Sequence, residues 1–139
     1  MARRQAVLAD TSGIIALLDQ DDQYHTAAVQ VAQTATLSIP STVLPEVDYL
    51  VSKYLGEQVA KAFLEDLSAE YFAYLRVDLE DIQQALEIML QYKGVPLGLV
   101  DASLVALAER HQIQRILTLD RRHFSLIKPK RLKYLELLP

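Results

Sequence analysis

Apolar positions along this chain switch repeatedly between a strand-like run and a helix-like spacing. Val7-Leu8-Ala9 is a short apolar run, followed at once by Asp10, Thr11 and Ser12. Ile14, Ile15, Leu17 and Leu18 then begin a helical pattern that predicts a helix over 12–19, with the hydroxyl residues suited to its N-cap. A polar turn at 19–23 leads to a second predicted helix over 24–33, and Leu37-Ser38-Ile39-Pro40 reads as a short strand ended by its proline, which has no N–H for the ladder. Ser41 or Thr42 can cap a helix running to about Leu55, with Pro45 in its first turn, where the missing donor does no harm. Its apolar stripe is Val43, Val47, Leu50, Val51 and Tyr54. Gly56 separates it from a helix over 57–69, the aromatic-rich stretch 71–77 predicts a strand, and Asp78 caps a helix to about Lys93 with Ile82, Leu86, Met89 and Leu90 inward. After a loop at 94–98, a helix over 99–112 precedes a strand at 115–119, Asp120 stands at that strand's carboxyl end, and 132–138 reads as a last strand. Strands alternating with helices predict an α/β fold, a three-layer α/β/α sandwich with a mainly parallel central sheet.

Length and composition add bounds. The 139 residues suit one domain spanning the chain, with a sizeable core, and 51% hydrophobic with 23% charged residues is ordinary for a soluble globular protein. No apolar run reaches the roughly 18 residues of a membrane span. Met1 to Gln5 leads directly into the first strand with no signal-peptide core, and the absence of cysteine rules out disulfides, thiolate nucleophiles and cysteine metal sites. A cytoplasmic location is the expectation. Charge is unevenly placed: Arg121, Arg122, Lys128, Lys130, Arg131 and Lys133 form a segment without an acid, so that a chain of net charge −4 carries −10 outside it. Such a segment either grips phosphates along an edge or is a solvated C-terminal loop.

The carboxylates carry the candidate chemistry. Asp10 sits where a strand ends and a helix starts, the place where open parallel sheets put their ligand sites; capping the helix is the plainer alternative. Asp120 repeats that setting, and the two would share a crevice if their strands are neighbours. Asp101 lies about 60° from Leu104 on a helix whose apolar arc is Val100, Leu104, Leu107, Ala108 and His111. A carboxylate so close to a buried face needs a partner: an ion pair with Arg110 or Arg115, or a metal. Glu46 and Asp48 each stand about 100° from Val47 on opposite sides, so periodicity does not choose between them. Two carboxylates at about 4 Å repel by roughly 4 kcal/mol at an effective dielectric near 20. A cluster must therefore take up protons, arginines or a cation, and oxygen donors without cysteine favour Mg²⁺ or Mn²⁺ over Zn²⁺. No G-x-S-x-G, P-loop or G-x-G-x-x-G is present, and Asp10-Thr11-Ser12 is not the D-x-D expected of an aspartyl-phosphate phosphatase. His25, His111 and His123 are scattered; His111 reads as core-edge, His123 as part of the basic segment, and neither receives a catalytic role.

Four stretches together make a family pattern: Leu8-Ala9-Asp10-Thr11-Ser12-Gly13, Leu44-Pro45-Glu46-Val47, Leu97-Gly98-Leu99-Val100-Asp101-Ala102-Ser103-Leu104 and Ile116-Leu117-Thr118-Leu119-Asp120-Arg121-Arg122-His123-Phe124. Over nearly its whole length the chain resembles the PIN-domain ribonucleases, especially the VapC-type toxins of bacterial toxin–antitoxin pairs. The resemblance implies an acidic metal site of Asp10, Glu46, Asp101 and Asp120, choosing Glu46 over Asp48, with supporting hydroxyls from Thr11, Ser12 and Thr118. It implies a Mg²⁺- or Mn²⁺-dependent endoribonuclease acting on RNA, with Asp120 the least constant ligand, and the six cations would grip flanking phosphates. It also implies a cognate antitoxin that inserts an arginine into the acidic crevice, and a homodimer. Tyr49, Leu55, Phe63 and Leu67 are open between dimer surface and core. Two other readings are a non-catalytic interaction module with an acidic crevice, and a metal-dependent DNA nuclease or phosphatase on a similar sheet.

Overall fold

The computed structural model describes residues 4–139; the reading of Met1 to Arg3 as part of a short approach to the first strand lies outside the described residues. Five strands form one sheet in the order β3-β2-β1-β4-β5: β1 (Ala6–Ala9), β2 (Thr36–Pro40), β3 (Ala73–Leu75), β4 (Arg115–Leu117) and β5 (Glu136–Leu138). Every neighbouring pair is parallel. The helices are α1 (Thr11–Leu18), α2 (His25–Thr34), α3 (Leu44–Tyr54), α4 (Glu57–Ser68), α5 (Leu79–Gln91), α6 (Leu99–His111) and α7 (Arg121–Phe124), with a 3-10 turn at Ser41–Val43 ahead of α3.

The central strands are buried on both faces, as parallel strands in α/β proteins are. Successive side chains point to opposite sides. Val7, Leu37 and Leu117 pack with Ala16 of α1 and Ala28 of α2. Leu8 and Ile116 pack on the other side with Val47 and Val51 of α3, Phe63 of α4, Ala85 and Ile88 of α5, and Leu104 and Leu107 of α6. Two apolar clusters on either side of one sheet make the three layers that strand–helix alternation predicts.

The chain leaves β1 toward β2 and β3 and later returns to β1's other edge as β4. The register pairs Leu8 with Ile116 and Ala9 with Leu117, so the carboxyl ends of β1 and β4 lie side by side at the point where the strand order reverses. Glycine is required just above them. A Cβ on Gly13 would lie 2.4 Å from the Leu117 carbonyl oxygen and 2.7 Å from Leu117 Cγ, so only glycine lets the first turn of α1 approach β4 this closely.

Several expectations need correcting. In α5 the inward residues are Asp81, Ala85 and Ile88, whereas Ile82, Leu86 and Leu90 are exposed and Met89 is half-buried. The helix is rotated because Asp81 faces Arg110 of α6. Tyr54 is exposed at the end of the α3 stripe, and Leu50 is only half-buried. His111 is exposed rather than at the core edge. Of the four residues left between core and surface, Phe63 is buried, Leu55 and Leu67 are half-buried against the core, and Tyr49 is exposed. The strands expected over 71–77 and 132–138 contract to Ala73–Leu75 and Glu136–Leu138, and the basic segment begins as the helical turn α7 rather than as loop.

Candidate metal centre

Asp10 follows β1 and is 5% exposed. It is both cap and cavity acid: Oδ1 accepts the Thr11 N–H at 2.8 Å, and Oδ2 accepts the Thr118 hydroxyl at 2.8 Å. The Asp10 N–H in turn donates to the Leu117 carbonyl at 3.0 Å, tying the acid's backbone to β4. Thr118 Oγ1 also accepts the Asp120 N–H at 3.1 Å and stands 3.3 Å from Ser12 Oγ. Because its own proton goes to Asp10, Thr118 must accept from Ser12, whose oxygen accepts the Leu119 N–H at 2.9 Å. Ser12 and Thr118 therefore lock the ends of β1 and β4 into one hydrogen-bonded chain that aims Asp10. Thr11 contributes its backbone; its hydroxyl is buried with no hydrogen-bond partner.

Asp10, Glu46, Asp101 and Asp120 line one open cavity of about 500 Å³, with Thr11, Ser12, Ile15, Leu50 and Gly98 to Val100 completing its wall. Asp101 stands in the first turn of α6, Glu46 in the first turn of α3, and Asp120 immediately before α7. Both helix starts favour an acid there, since the macrodipole is positive at its N-terminus. Asp48, the other candidate on α3, is not part of this wall. Neither arginine offered as a partner reaches Asp101: Arg110 pairs with Asp81 and Arg115 with Glu136. Among the described residues no three carboxylates or imidazoles are already drawn to coordination spacing; the four acids share a cavity rather than a closed cage.

Their mutual field is felt in protonation. Burial pushes the Asp10 carboxyl above its ordinary value, the hydrogen bonds from Thr118 and Thr11 oppose this, and the Glu46 and Asp120 charges add to it. Asp101 is raised from 3.8 to about 6, by burial first, then by the Asp10 and Asp120 charges, with His123 acting in the opposite direction. The sign of the stability effect follows. With its folded value above its unfolded one, Asp101 holds more proton in the folded chain between about pH 4 and 6, so its contribution weakens the fold as pH rises through that window. Asp101→Asn is expected to stabilise the chelator-treated protein by about 1–2 kcal/mol at pH 7, with little difference from wild type near pH 4. Parallel thermal unfolding profiles at the two pH values would remove this like-charge account.

The six cations are placed differently from the acids. None of them lines the acidic cavity. Arg121 and Arg122 follow Asp120 directly and are exposed, and the Arg121 guanidinium donates to the Pro139 carbonyl. Lys128, Lys130, Arg131 and Lys133 are exposed, and Arg131 borders a separate small pocket with Glu80, Asp81 and Glu109. The residue that sequence reasoning missed is His123, whose Nδ1 lies 3.8 Å from Asp101 Oδ2 and 3.8 Å from Asp120 Oδ2. Its spacing of three from Asp120 was the available signal, because residues three apart share a helix face.

A parallel sheet carrying acids at its point of reversal places the chain in a class: it belongs to the PIN-domain family, whose sequence model matches residues 7–128. More particularly, it is 33% identical over 125 residues to Ribonuclease VapC26 of Mycobacterium tuberculosis (strain ATCC 25618 / H37Rv), the alignment covering 88% of this chain and 93% of that protein. Solved structures share the fold. VapC20 of Mycobacterium tuberculosis, a sarcin–ricin loop cleaving toxin, superposes with a TM-score of 0.77 at 21% identity over 86% of this chain and 93% of that one. VapBC2 from Rickettsia felis, bound to a DNA fragment from its promoter, gives 0.69 at 19% identity over 97% of this chain and 100% of that one. All four acids, and Thr11, Ser12, Thr118, Arg121, Arg122 and Lys128, fall within the matched residues; Lys130, Arg131 and Lys133 lie beyond them. No helix among the described residues is long and apolar enough to cross a membrane.

Proposed function

We propose that this protein is a divalent-metal-dependent endoribonuclease, the toxin of a toxin–antitoxin pair. The observation that carries the reading is the convergence of Asp10, Glu46, Asp101 and Asp120 on one cavity wall at the reversal of a parallel sheet. The donor set fits a hard cation: carboxylate oxygens, no cysteine, and two acids, Asp10 and Asp101, whose protonation is raised by burial and by neighbouring carboxylates. Asp10, Glu46 and Asp101 would hold Mg²⁺ or Mn²⁺, with Asp120 in support. A bound ion supplies charge neutralisation at the scissile phosphate and a water of lowered pKa. The chain's own part is positioning: Thr118 and Ser12 fix Asp10, and the Thr11 hydroxyl is a free oxygen at the wall.

Arg121 and Arg122, exposed just after Asp120, are suited to the phosphates flanking the scissile bond, with Lys128, Lys130, Arg131 and Lys133 extending that positive segment away from the cavity. Ribonuclease VapC26 supports RNA as the substrate class. The toxin–antitoxin complex from Klebsiella pneumoniae and the VapBC assemblies among the structural relatives support a protein antitoxin as partner. The exposed apolar row Leu79, Ile82, Leu86 and Leu90 on α5 supports a protein interface, whether with a second copy or with the antitoxin.

The testing experiment uses chelator-stripped protein offered RNA, single-stranded DNA and a phosphomonoester side by side. Cleavage of RNA that returns with Mn²⁺ or Mg²⁺ and is abolished by chelator is expected. RNA cleavage indifferent to chelator overturns the metal requirement, and hydrolysis of the other substrates instead of RNA overturns the substrate class.

A further inference from the structure

His123 stands beside two acids of the cavity, Asp101 and Asp120, without itself lining the cavity wall. Its ring is held in α7, with the side chain 21% exposed, yet Nδ1 itself is shielded from solvent and makes no hydrogen bond. The two carboxylate oxygens beside it, Asp101 Oδ2 and Asp120 Oδ2, are each 3.8 Å away. That is too long for an N–H···O hydrogen bond, which centres near about 2.9–3.0 Å. Pair by pair it falls both within ion-pair range and within the span of donors that share an ion, since two atoms each about 2.0–2.2 Å from one cation stand roughly 2.9–4.3 Å apart; among the described residues no three such donors are already grouped for a metal.

The geometry points to His123 Nδ1 as a nitrogen donor of the metal site, beside Asp101 and Asp120, that sets its preference for Mn²⁺ or a like transition ion over Mg²⁺. This rests on the reading of the cavity as a divalent-metal site. The chemistry is that of donor softness: Mg²⁺ takes oxygen donors and keeps its waters, whereas imidazole suits the later divalent ions. Replacing one oxygen by an imidazole nitrogen therefore moves selectivity more than it moves total affinity for a hard ion. The rival role, an imidazolium serving as counter-ion to Asp101 and Asp120, has the opposite consequence. A cation already between two carboxylates competes with a metal, so its removal would tighten the binding of both ions.

The test is calorimetric titration of chelator-stripped wild type, His123→Ala and His123→Asn with Mn²⁺ and with Mg²⁺, together with pulsed EPR of the Mn²⁺-loaded proteins. Wild type is expected to bind Mn²⁺ at least about tenfold more tightly than Mg²⁺ and to show a coupled imidazole nitrogen. Both variants are expected to lose about tenfold or more in Mn²⁺ affinity, to change less than about threefold for Mg²⁺, and to lose the nitrogen signal. His123→Asn keeps a polar side chain in α7, and its native unfolding profile separates donor loss from misfolding. Metal binding without nitrogen coupling, or equal shifts for the two ions, overturns the role of His123 and leaves the metal site standing. Failure of wild type to bind either ion overturns the metal site itself, and the inference with it.

Discussion

Asp10→Asn is expected to reduce metal-dependent RNA cleavage by at least about a hundredfold while leaving the fold intact. The expectation comes from how the site accommodates the change. An Asn Oδ1 can still accept the Thr11 N–H, and its Nδ2 can donate where Oδ2 now accepts from Thr118. Thr118 then turns its proton toward Ser12, which still accepts from Leu119, and the Ser12 proton so displaced turns to the open cavity that Ser12 lines. What disappears is the negative charge. Burial and the neighbouring acids already disfavour that charge in the folded chain, so the variant should unfold in chelator no earlier than wild type. Loss of cleavage together with weakened Mn²⁺ binding and an undiminished unfolding temperature is the signature of a metal-holding carboxylate. Near-wild-type cleavage by pure Asp10→Asn protein would sink the role assigned to Asp10, and lost cleavage with unchanged Mn²⁺ affinity would move it from the metal to the substrate.

The features legible in the sequence were those whose cause is local. An apolar triplet followed by an acid and two hydroxyls reads as strand, carboxyl end and helix start without reference to anything distant, and β1 with Asp10 stands where that pattern puts it; β4 stops at Leu117, two residues short of the strand expected over 115–119, so that Asp120 follows it by three residues. Whether the two ends meet depends on strand order, which the pattern leaves open; the parallel pairing of Leu8 with Ile116 decides it. The tie between Glu46 and Asp48 is of the same kind, because both flank one stripe and only the packing of α3 turns Glu46 to the cavity. The phase of α5 was misread for a reason that lies 29 residues away. Its more apolar arc, Ile82, Leu86 and Leu90, faces out because the adjacent arc carries Asp81 to Arg110. His123 reads as one more member of the basic segment because α7 is a single turn of four residues, in which only the spacing of three from Asp120 points toward the acids.

Arg110→Ala is expected to cost about 2–3 kcal/mol of stability, at the low end for a broken buried pair because the arginine is itself 40% exposed. Asp81 is not: only 4% of its side chain reaches solvent. It receives Arg110 through two parallel bonds of 2.8 Å, from Nε to Oδ1 and from a terminal guanidinium nitrogen to Oδ2, the bidentate arrangement in which a carboxylate is held most strongly. A further bond from the guanidinium reaches the Arg76 carbonyl at 3.1 Å, so one side chain joins α6, α5 and the segment ahead of α5. Removing it leaves a buried anion whose remaining partner is the Asp78 N–H of the capping box, at 2.9 Å. The double variant Arg110→Ala with Asp81→Asn separates the causes. The amide oxygen can still cap α5, and no charge is left stranded, so urea unfolding should show the double variant more stable than Arg110→Ala alone. If the double variant is no more stable than the single one, the loss belongs to the packing of the arginine stem rather than to the uncompensated carboxylate. Because Asp101 stands at the opposite end of the same helix, RNA cleavage measured well below the unfolding transition should stay within about threefold of wild type, as expected for a contact far enough from the chemistry to act independently of it.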